Sequence, residues 1–274
     1  GTGLKSIGTF AFCVSAGLKE VTFAPQDIPQ LVIGESAFRQ CQSLERVTFS
    51  EALKTIQPYA FSSCPSLLRL DFPDSLTGIS GGAFYNCAKL GEVKFGAGLT
   101  TIYGYSNSYV DTDGNNQYAQ YGAFANCPAL SNVVFNAGLK TIGNQCFGQC
   151  PAIKELSFPD SVETVGVQCF YGCTALERVS FGTGIKSIGT YAFAVSPALK
   201  EVTFAPQDVP QLTIGESAFR SCQSLERVAF SEALTTIGLN AFSSCPSLLR
   251  LDLPDSLTGI SGGAFYNCAK LGEV

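Results

Sequence analysis

The sequence predicts an α/β solenoid of stacked rungs, each with two short strands and a short helical or 3-10 turn. The first observation is a fixed period of 23 residues, which marks a repeat array. The second is one apolar pattern per period, A-F-x-x-C-x-x-L-x-x-V/L-x-F followed by L-x-x-I. The third is that stacked copies bury roughly six large side chains each, which a single copy leaves exposed. The register is set by these residues: Ala60, Ala83, Ala123, Cys146, Cys169, Ala192, Ala218, Ala241 and Ala264.

Residues 60–82 illustrate how one copy is expected to fold. Ala60 begins the single helical or 3-10 turn. Residues 67–72 predict the first strand, because apolar and polar side chains alternate along it. Residues 73–75, Pro-Asp-Ser, predict a turn. Residues 76–79 are expected to form a second extended segment before the next copy begins.

This pattern, written fully as A-F-x-x-C-x-x-L-x-x-V-x-F-P-x-x-L-x-x-I-G, resembles the BspA-like, or treponemal-type, leucine-rich repeat. It is visible in residues 37–56, 60–79, 83–102, 123–142 and 241–260. The resemblance covers nearly all of residues 1–274, apart from two insertions. It implies a curved right-handed solenoid with a parallel sheet of first strands on its concave side. It also implies a microbial cell-surface or secreted protein, often adhesive.

The unbroken period predicts one domain, residues 1–274, with about eleven 23-residue rungs. Two segments depart from the period, a longer turn at residues 24–30 and an insertion at residues 103–122. Residues 182–274 nearly repeat residues 1–93, which indicates duplication of a block of rungs. Both ends fall within repeats, so we expect a fragment of a longer array.

Composition argues against several classes of function. A net charge of −5, with 14% charged residues, disfavours nucleic acid as a partner. No apolar run of 18 residues exists, so we expect no membrane insertion. The chain has no His, so a Ser or Cys nucleophile would need another base, and the carboxylates recur without a distinct pair. We therefore expect no enzyme activity and no cofactor or metal.

The cysteines follow the repeat. Ser15 and Ser196 replace cysteine at the repeat position, which indicates a small, buried and weakly hydrogen-bonding side chain. We therefore expect buried thiols. Cys146 and Cys169 occupy adjacent rungs and are the best candidates for a disulfide, so their oxidation state stays open. The nine cysteines at the repeat position are Cys41, Cys64, Cys87, Cys127, Cys150, Cys173, Cys222, Cys245 and Cys268.

The first candidate site is the polar face of the first strands. Opposite charges often fall on adjacent rungs, as at Arg69 and Glu92. One interpretation is mutual pairing, worth about 0–1 kcal/mol per pair. The other is a protein-binding surface, since solenoids bind through their concave faces. The candidate residues are Arg46, Arg69, Asp71, Glu92, Lys94, Asn132 and Val134.

The second candidate site is the insertion at residues 103–122. Its Tyr, Ser, Gly and Asn content is typical of antibody contact loops, although a turn packed on its own rungs is an alternative. Asp111, Asp113 and Asn115 are spaced like the start of a calcium loop, but Gly114 is not at its sixth position and no Glu follows at its twelfth, so a polar turn explains them better. The candidate tyrosines are Tyr103, Tyr105, Tyr109, Tyr118 and Tyr121.

Together these features predict a non-enzymatic protein-binding or adhesion module of a cell-surface or secreted protein. Its expected partner is a host protein, a matrix protein or another surface protein. The alternative is an intracellular leucine-rich-repeat scaffold for protein assembly. A signal peptide encoded upstream would distinguish the first hypothesis from the second.

Overall fold

The computed structural model describes residues 3–25, 31–104, 109–110, 116–117, 121–207, 209 and 211–274. Each rung contributes two short strands, which run parallel to the strands of its neighbours. In chain order the strands of these residues are β1 (Ser6–Ile7), β2 (Glu20–Thr22), β3 (Leu31–Ile33), β4 (Arg46–Thr48), β5 (Leu53–Ile56), β6 (Arg69–Asp71), β7 (Gly78–Ile79), β8 (Glu92–Lys94), β9 (Thr101–Ile102), β10 (Tyr109–Val110), β11 (Asn116–Gln117), β12 (Asn132–Val134), β13 (Thr141–Ile142), β14 (Glu155–Phe158), β15 (Thr164–Val165), β16 (Arg178–Phe181), β17 (Ser187–Ile188), β18 (Glu201–Phe204), β19 (Leu212–Ile214), β20 (Arg227–Ala229), β21 (Leu234–Ile237), β22 (Arg250–Leu251) and β23 (Gly259–Ile260).

The second strands of the rungs form one continuous parallel sheet. Its order is β1-β3-β5-β7-β9-β13-β15-β17-β19-β21-β23. From β1 to β21, the last residue of each of these strands is buried, as at Ile142, because it points into the core. A glycine follows many of these strands because the backbones approach closely there: a Cβ on Gly166 would lie 2.6 Å from the carbonyl carbon of Gly143.

The first strands are parallel and stacked, as predicted, but they form three sheets. These contain β2 and β4, then β6, β8 and β12, and then β14, β16, β18, β20 and β22. The sheet is interrupted between β4 and β6 and between β12 and β14. The middle residue of most of these strands, such as Leu70 or Val93, is buried, and its neighbours point outward. The continuous sheet of this solenoid is therefore the one made by the second strands.

The predicted short helical or 3-10 turns are not present among the described residues, which contain no helix. The Ala-Phe segment forms successive turns because two positions four residues apart adopt left-handed backbone angles, such as Ser36 (φ 52°) and Gln40 (φ 60°). Within the rung, Ala37 N–H donates to the Gly34 carbonyl, at 3.2 Å. Phe38 N–H donates instead to Ala60 of the next rung, at 2.7 Å. A helix cannot survive this alternation, so the fold is a parallel β-solenoid rather than α/β.

Stacked phenylalanines form the core. The Phe of the Ala-Phe dipeptide stacks on its counterpart in every adjacent rung, with ring centroids 5.0–5.5 Å apart, from Phe12 to Phe265. A second stack runs along the ends of the first strands, for example between Phe158 and Phe181 at 4.9 Å. The two stacks meet edge to face, as at Phe158 and Phe170.

The insertion interrupts the sequence but not the stack. Phe84 and Phe124, on either side of it, are 5.1 Å apart, like any two neighbours. Within it, β10 and β11 pair antiparallel, with Tyr109 opposite Gln117. None of the described residues forms a helix that is long and apolar enough to cross a bilayer.

Candidate binding surfaces

The candidate residues of the first strands lie side by side. Parallel pairing places Glu92 between Arg69 and Asn132, and Lys94 between Asp71 and Val134. Asn132 donates a hydrogen bond from Nδ2 to Glu92 Oε1, at 2.9 Å. Val134 is exposed beside Lys94.

Most charges of this face pair with one another. Arg46 and Arg227 bind glutamates of the preceding rung, Glu20 at 3.3 Å and Glu201 at 3.5 Å. Arg178 pairs in the same way with Glu155. Arg69 and Glu92 are neighbours in the parallel register, as predicted. Arg69 nevertheless binds Asp71 of its own strand, at 2.5 Å. These exposed pairs support the mutual-pairing interpretation for most rungs, at about 0–1 kcal/mol each.

Alternation of charge fails at two equivalent steps. Arg46 is followed one rung later by Arg69, and in the duplicated block Arg227 is followed by Arg250. Each second arginine binds an aspartate of its own strand, and Arg250 binds Asp252 at 2.6 Å as well as Glu273 of the following rung at 3.4 Å. A surface cavity opens at both steps, of about 220 Å³ at the first and about 330 Å³ at the second.

The ends of the tyrosine-rich insertion lie elsewhere in the rung. Tyr103 is 55% exposed and follows β9, with its ring over Gly78 of the continuous sheet. Tyr121 stacks on Tyr85 of the Ala-Phe turns, with ring centroids 3.9 Å apart. Neither ring lines the cavities of the first strands.

The other predicted tyrosines are less fully placed. Tyr109 lies in β10, whose backbone alone is described. Tyr105 and Tyr118 lie outside the described residues, as do the calcium candidates Asp111, Asp113 and Asn115. The described part of the chain has no cluster of three metal-binding side chains.

A further groove, not predicted from the sequence, lies on the Ala-Phe turns. Tyr85 and Tyr121 form one wall and Tyr171 the other, while Ala125 and Gly148 form the floor of a cavity of about 240 Å³. The sequence contains a sign of this groove at one repeat position, the second residue after the Ala or Cys that begins each repeat. Residues at one repeat position form a column along the stacked rungs. That column is large, small, small and large in four successive rungs: Tyr85, Ala125, Gly148 and Tyr171.

The cysteines of the repeat position are free thiols. Each donates to the carbonyl of the Phe in the preceding rung, as Cys150 does to Phe124 at 3.2 Å. Burial raises the pKa of the Cys127, Cys150 and Cys173 thiols. Protonated thiols without solvent access are poor nucleophiles and poor metal ligands.

The chain matches the family model for the BspA type leucine-rich repeat region over residues 2–112, 106–212 and 206–274. No curated protein matches it. Among solved structures it is similar to a leucine-rich repeat protein from Bacteroides ovatus ATCC 8483, with 26% identity and a TM-score of 0.68, covering 98% of this chain and 75% of that one.

Two more distant likenesses show the fold. One is to a leucine rich cell surface protein from Faecalibacterium prausnitzii A2-165, with 22% identity, a TM-score of 0.52 and coverage of 97% of this chain and 75% of that one. The other is to a leucine-rich repeat protein from Eubacterium ventriosum ATCC 27560, with 20% identity, a TM-score of 0.53 and coverage of 97% and 81%.

Proposed function

The chain belongs to the BspA-type leucine-rich repeat family, and we propose that it is a non-enzymatic protein-binding or adhesion module of a cell-surface or secreted protein. The observation that carries the proposal is the pair of arginine steps on the first strands. The same departure from charge alternation, again with a surface cavity, occurs at equivalent rungs of the duplicated block. A structural pairing of charges alone would favour alternation at these rungs too.

Arginine at such a step is suited to protein contact. Its planar guanidinium forms several directed hydrogen bonds, and arginine is enriched among residues that dominate binding energy. Arg46, Arg69 and the exposed Thr48 line the same small cavity, so a partner there would meet both guanidinium groups. The likeness to a described cell surface protein supports placement of the chain outside the cell.

The neutral end of the first-strand face supports a contact there as well. Glu92 is hydrogen-bonded by Asn132, and Val134 exposes apolar surface beside Lys94. Uncharged and apolar groups lower the cost of removing water from an interface. We propose that these residues extend the arginine contact, and that the tyrosines of the insertion form a second, separate contact.

Binding to immobilised matrix proteins, measured by surface plasmon resonance, tests the arginine contact. We expect Arg46→Ala/Arg69→Ala to weaken binding at least tenfold, about 1.4 kcal/mol. The matched control is Arg178→Ala, which removes an arginine that pairs with Glu155 in a regular rung, and it should change affinity less than about threefold. Equal losses in the double variant and the control would show that the arginine steps are not special.

The tyrosine contact is tested separately. Removal of residues 105–121 leaves Tyr103, Gly104 and Gly122 between Ile102 and Ala123, the linker length of a regular rung. We expect binding to fall at least tenfold if the insertion contributes a principal contact. Undiminished binding by the folded deletion variant would exclude the insertion and leave the first-strand face as the candidate surface.

A further inference from the structure

We propose that the groove on the Ala-Phe turns, between Tyr85 and Tyr171, binds a neutral saccharide. This site is distinct from both contacts proposed above for a protein partner, except that Tyr121 also belongs to the insertion.

The shape of the groove follows from the repeat. Tyr85 and Tyr171 occupy the same column three rungs apart, a separation of about 14 Å at the usual strand spacing. Ala125 and Gly148 fill the column between them and cannot project into the space. The phenylalanine stack continues beneath this floor, from Phe84 to Phe170, with ring centroids 5.1–5.3 Å apart. The groove is therefore formed by the stacked rungs themselves.

The side chains around the floor are amides. Gln145 donates from Nε2 to Gln168 Oε1, at 2.8 Å, which leaves the Gln145 carbonyl oxygen and the Gln168 amide nitrogen for a ligand. Asn126 donates to Asn86 at 3.0 Å and retains its own carbonyl oxygen. Gln149 lies beside these groups. Donors and acceptors placed next to one another match sugar hydroxyls, which both donate and accept.

The backbone fixes the directions of these amides. Asn126, Gln145, Gln149 and Gln168 all have left-handed φ angles, between 53° and 57°. Their N–H groups donate to the next rung, as Gln149 does to the Tyr171 carbonyl at 2.7 Å. Because these N–H groups are already bonded, the floor does not offer them to an added peptide strand. Recognition must therefore use side chains.

The walls are aromatic. Tyr121 stacks on Tyr85 and is itself 37% exposed, so a flat, amphipathic surface faces the groove. Aromatic rings of this kind pack against the C–H faces of sugar rings. None of the nine lining residues is charged, which favours a neutral saccharide over an acidic one. The volume, about 240 Å³, is below the roughly 300–1,000 Å³ of most drug-sized sites and suits one or two sugar rings.

An array of neutral and acidic glycans, probed with the purified chain, tests this inference, and the neutral glycan that binds best is then titrated by calorimetry. The decisive variant is Gly148→Tyr. A Cβ at Gly148 meets its nearest atom at 3.4 Å, an ordinary contact, and its φ is not left-handed, so the backbone accepts a side chain that points into the groove. We expect affinity for that glycan to fall at least tenfold.

Arg220→Tyr is the matched control, because it places tyrosine in the same column but outside the groove, two rungs beyond the Tyr171 wall, and it should leave affinity within twofold. Tyr171→Ala removes a wall rather than filling the groove, and we expect at least a fivefold loss even if Gly148→Tyr does not fold. Absence of binding to every neutral glycan would overturn the proposal. Equal binding of the glycan by wild type and by a folded Gly148→Tyr variant would also overturn it. So would stronger binding to sialylated glycans, or to acetylated and amidated trialanine, which tests for a peptide ligand.

Discussion

At the scale of single residues, the position three residues after the repeat Phe favours a side chain as long as that of cysteine. The cysteine sulfur reaches the Phe carbonyl of the preceding rung, as Cys222 does to Phe193 at 3.5 Å. Ser196 occupies the same position, but its shorter side chain does not reach this carbonyl. Its buried hydroxyl has no hydrogen-bond partner. A buried hydroxyl without a partner costs about 1–3 kcal/mol.

We therefore predict that Ser196→Cys raises the free energy of unfolding by about 1 kcal/mol. Urea unfolding should show a higher midpoint with an unchanged slope. Cys173→Ser is the reciprocal control and should lower the midpoint. A Ser196→Cys variant no more stable than wild type would show that the missing hydrogen bond costs nothing.

Backbone angles at the same turn give a second prediction. Val195 has φ 60°, where Asn86, Asn126 and Asn267 stand in other rungs at 57–59°. Left-handed angles cost a β-branched residue roughly 1–2 kcal/mol, and asparagine less. Val195→Asn should therefore stabilise the protein by about 1 kcal/mol in urea unfolding. Val167→Asn, at an equally exposed valine without a left-handed angle, is the control and should be nearly neutral.

At the scale of elements, the insertion leaves the rungs on either side in contact. Phe84 N–H donates to the Ala123 carbonyl at 2.7 Å, as between regular neighbours, and Gly143 N–H donates to Ile102 at 2.8 Å. The ends of the insertion are also close together, since both Gly104 and Tyr121 lie against Gly81. The insertion is thus a decoration on an intact array.

Deletion of residues 105–121 should consequently preserve the fold. We expect the free energy of unfolding to change by no more than about 1.5 kcal/mol, the value of the lost Tyr85–Tyr121 stack. Circular dichroism and urea unfolding provide the measurement. Deletion of the same number of residues within a regular rung, residues 60–76, shifts the register of every later strand and should abolish folding. Unfolding of both variants would mean that the insertion supports the array.

At the scale of the whole molecule, stability depends on columns that run through all rungs. Burial raises the pKa of the thiols of Cys127, Cys150, Cys169, Cys173 and Cys222 well above the ordinary value of 9.0. These groups keep their protons in the folded protein when the unfolded chain has lost them. Their stabilising contribution is full below pH 9 and is lost as the pH rises toward the folded-state pKa.

We predict that the free energy of unfolding is nearly constant from pH 7 to 8 and falls above pH 9. The slope should be about 1.4 kcal/mol per pH unit for each thiol that stays protonated in the folded state. Cys173→Ser removes one such group and should reduce the slope by about that amount. Urea unfolding across this pH range, under reducing conditions, provides the measurement, and a flat profile up to pH 10 would contradict the prediction.

The repeat by itself determined the period, the parallel strands and the buried columns. One apolar pattern recurring at fixed spacing has to be buried in one way, so Phe61, Leu70 and Ile79 are in the core as predicted. The pairing of charges along the first strands was also predictable in kind, because neighbours in a parallel register follow from the period.

Only the tertiary structure decided the path of the Ala-Phe turns and the choice among charge partners. Glutamine and tyrosine rarely adopt left-handed backbone angles. Gln145 and Tyr59 do so here because their N–H groups are hydrogen-bonded to the next rung. Glu92 had a candidate partner on each side and binds Asn132, which lies across the insertion. The groove between Tyr85 and Tyr171 needs four rungs to exist, since its walls and floor come from segments that touch only after stacking.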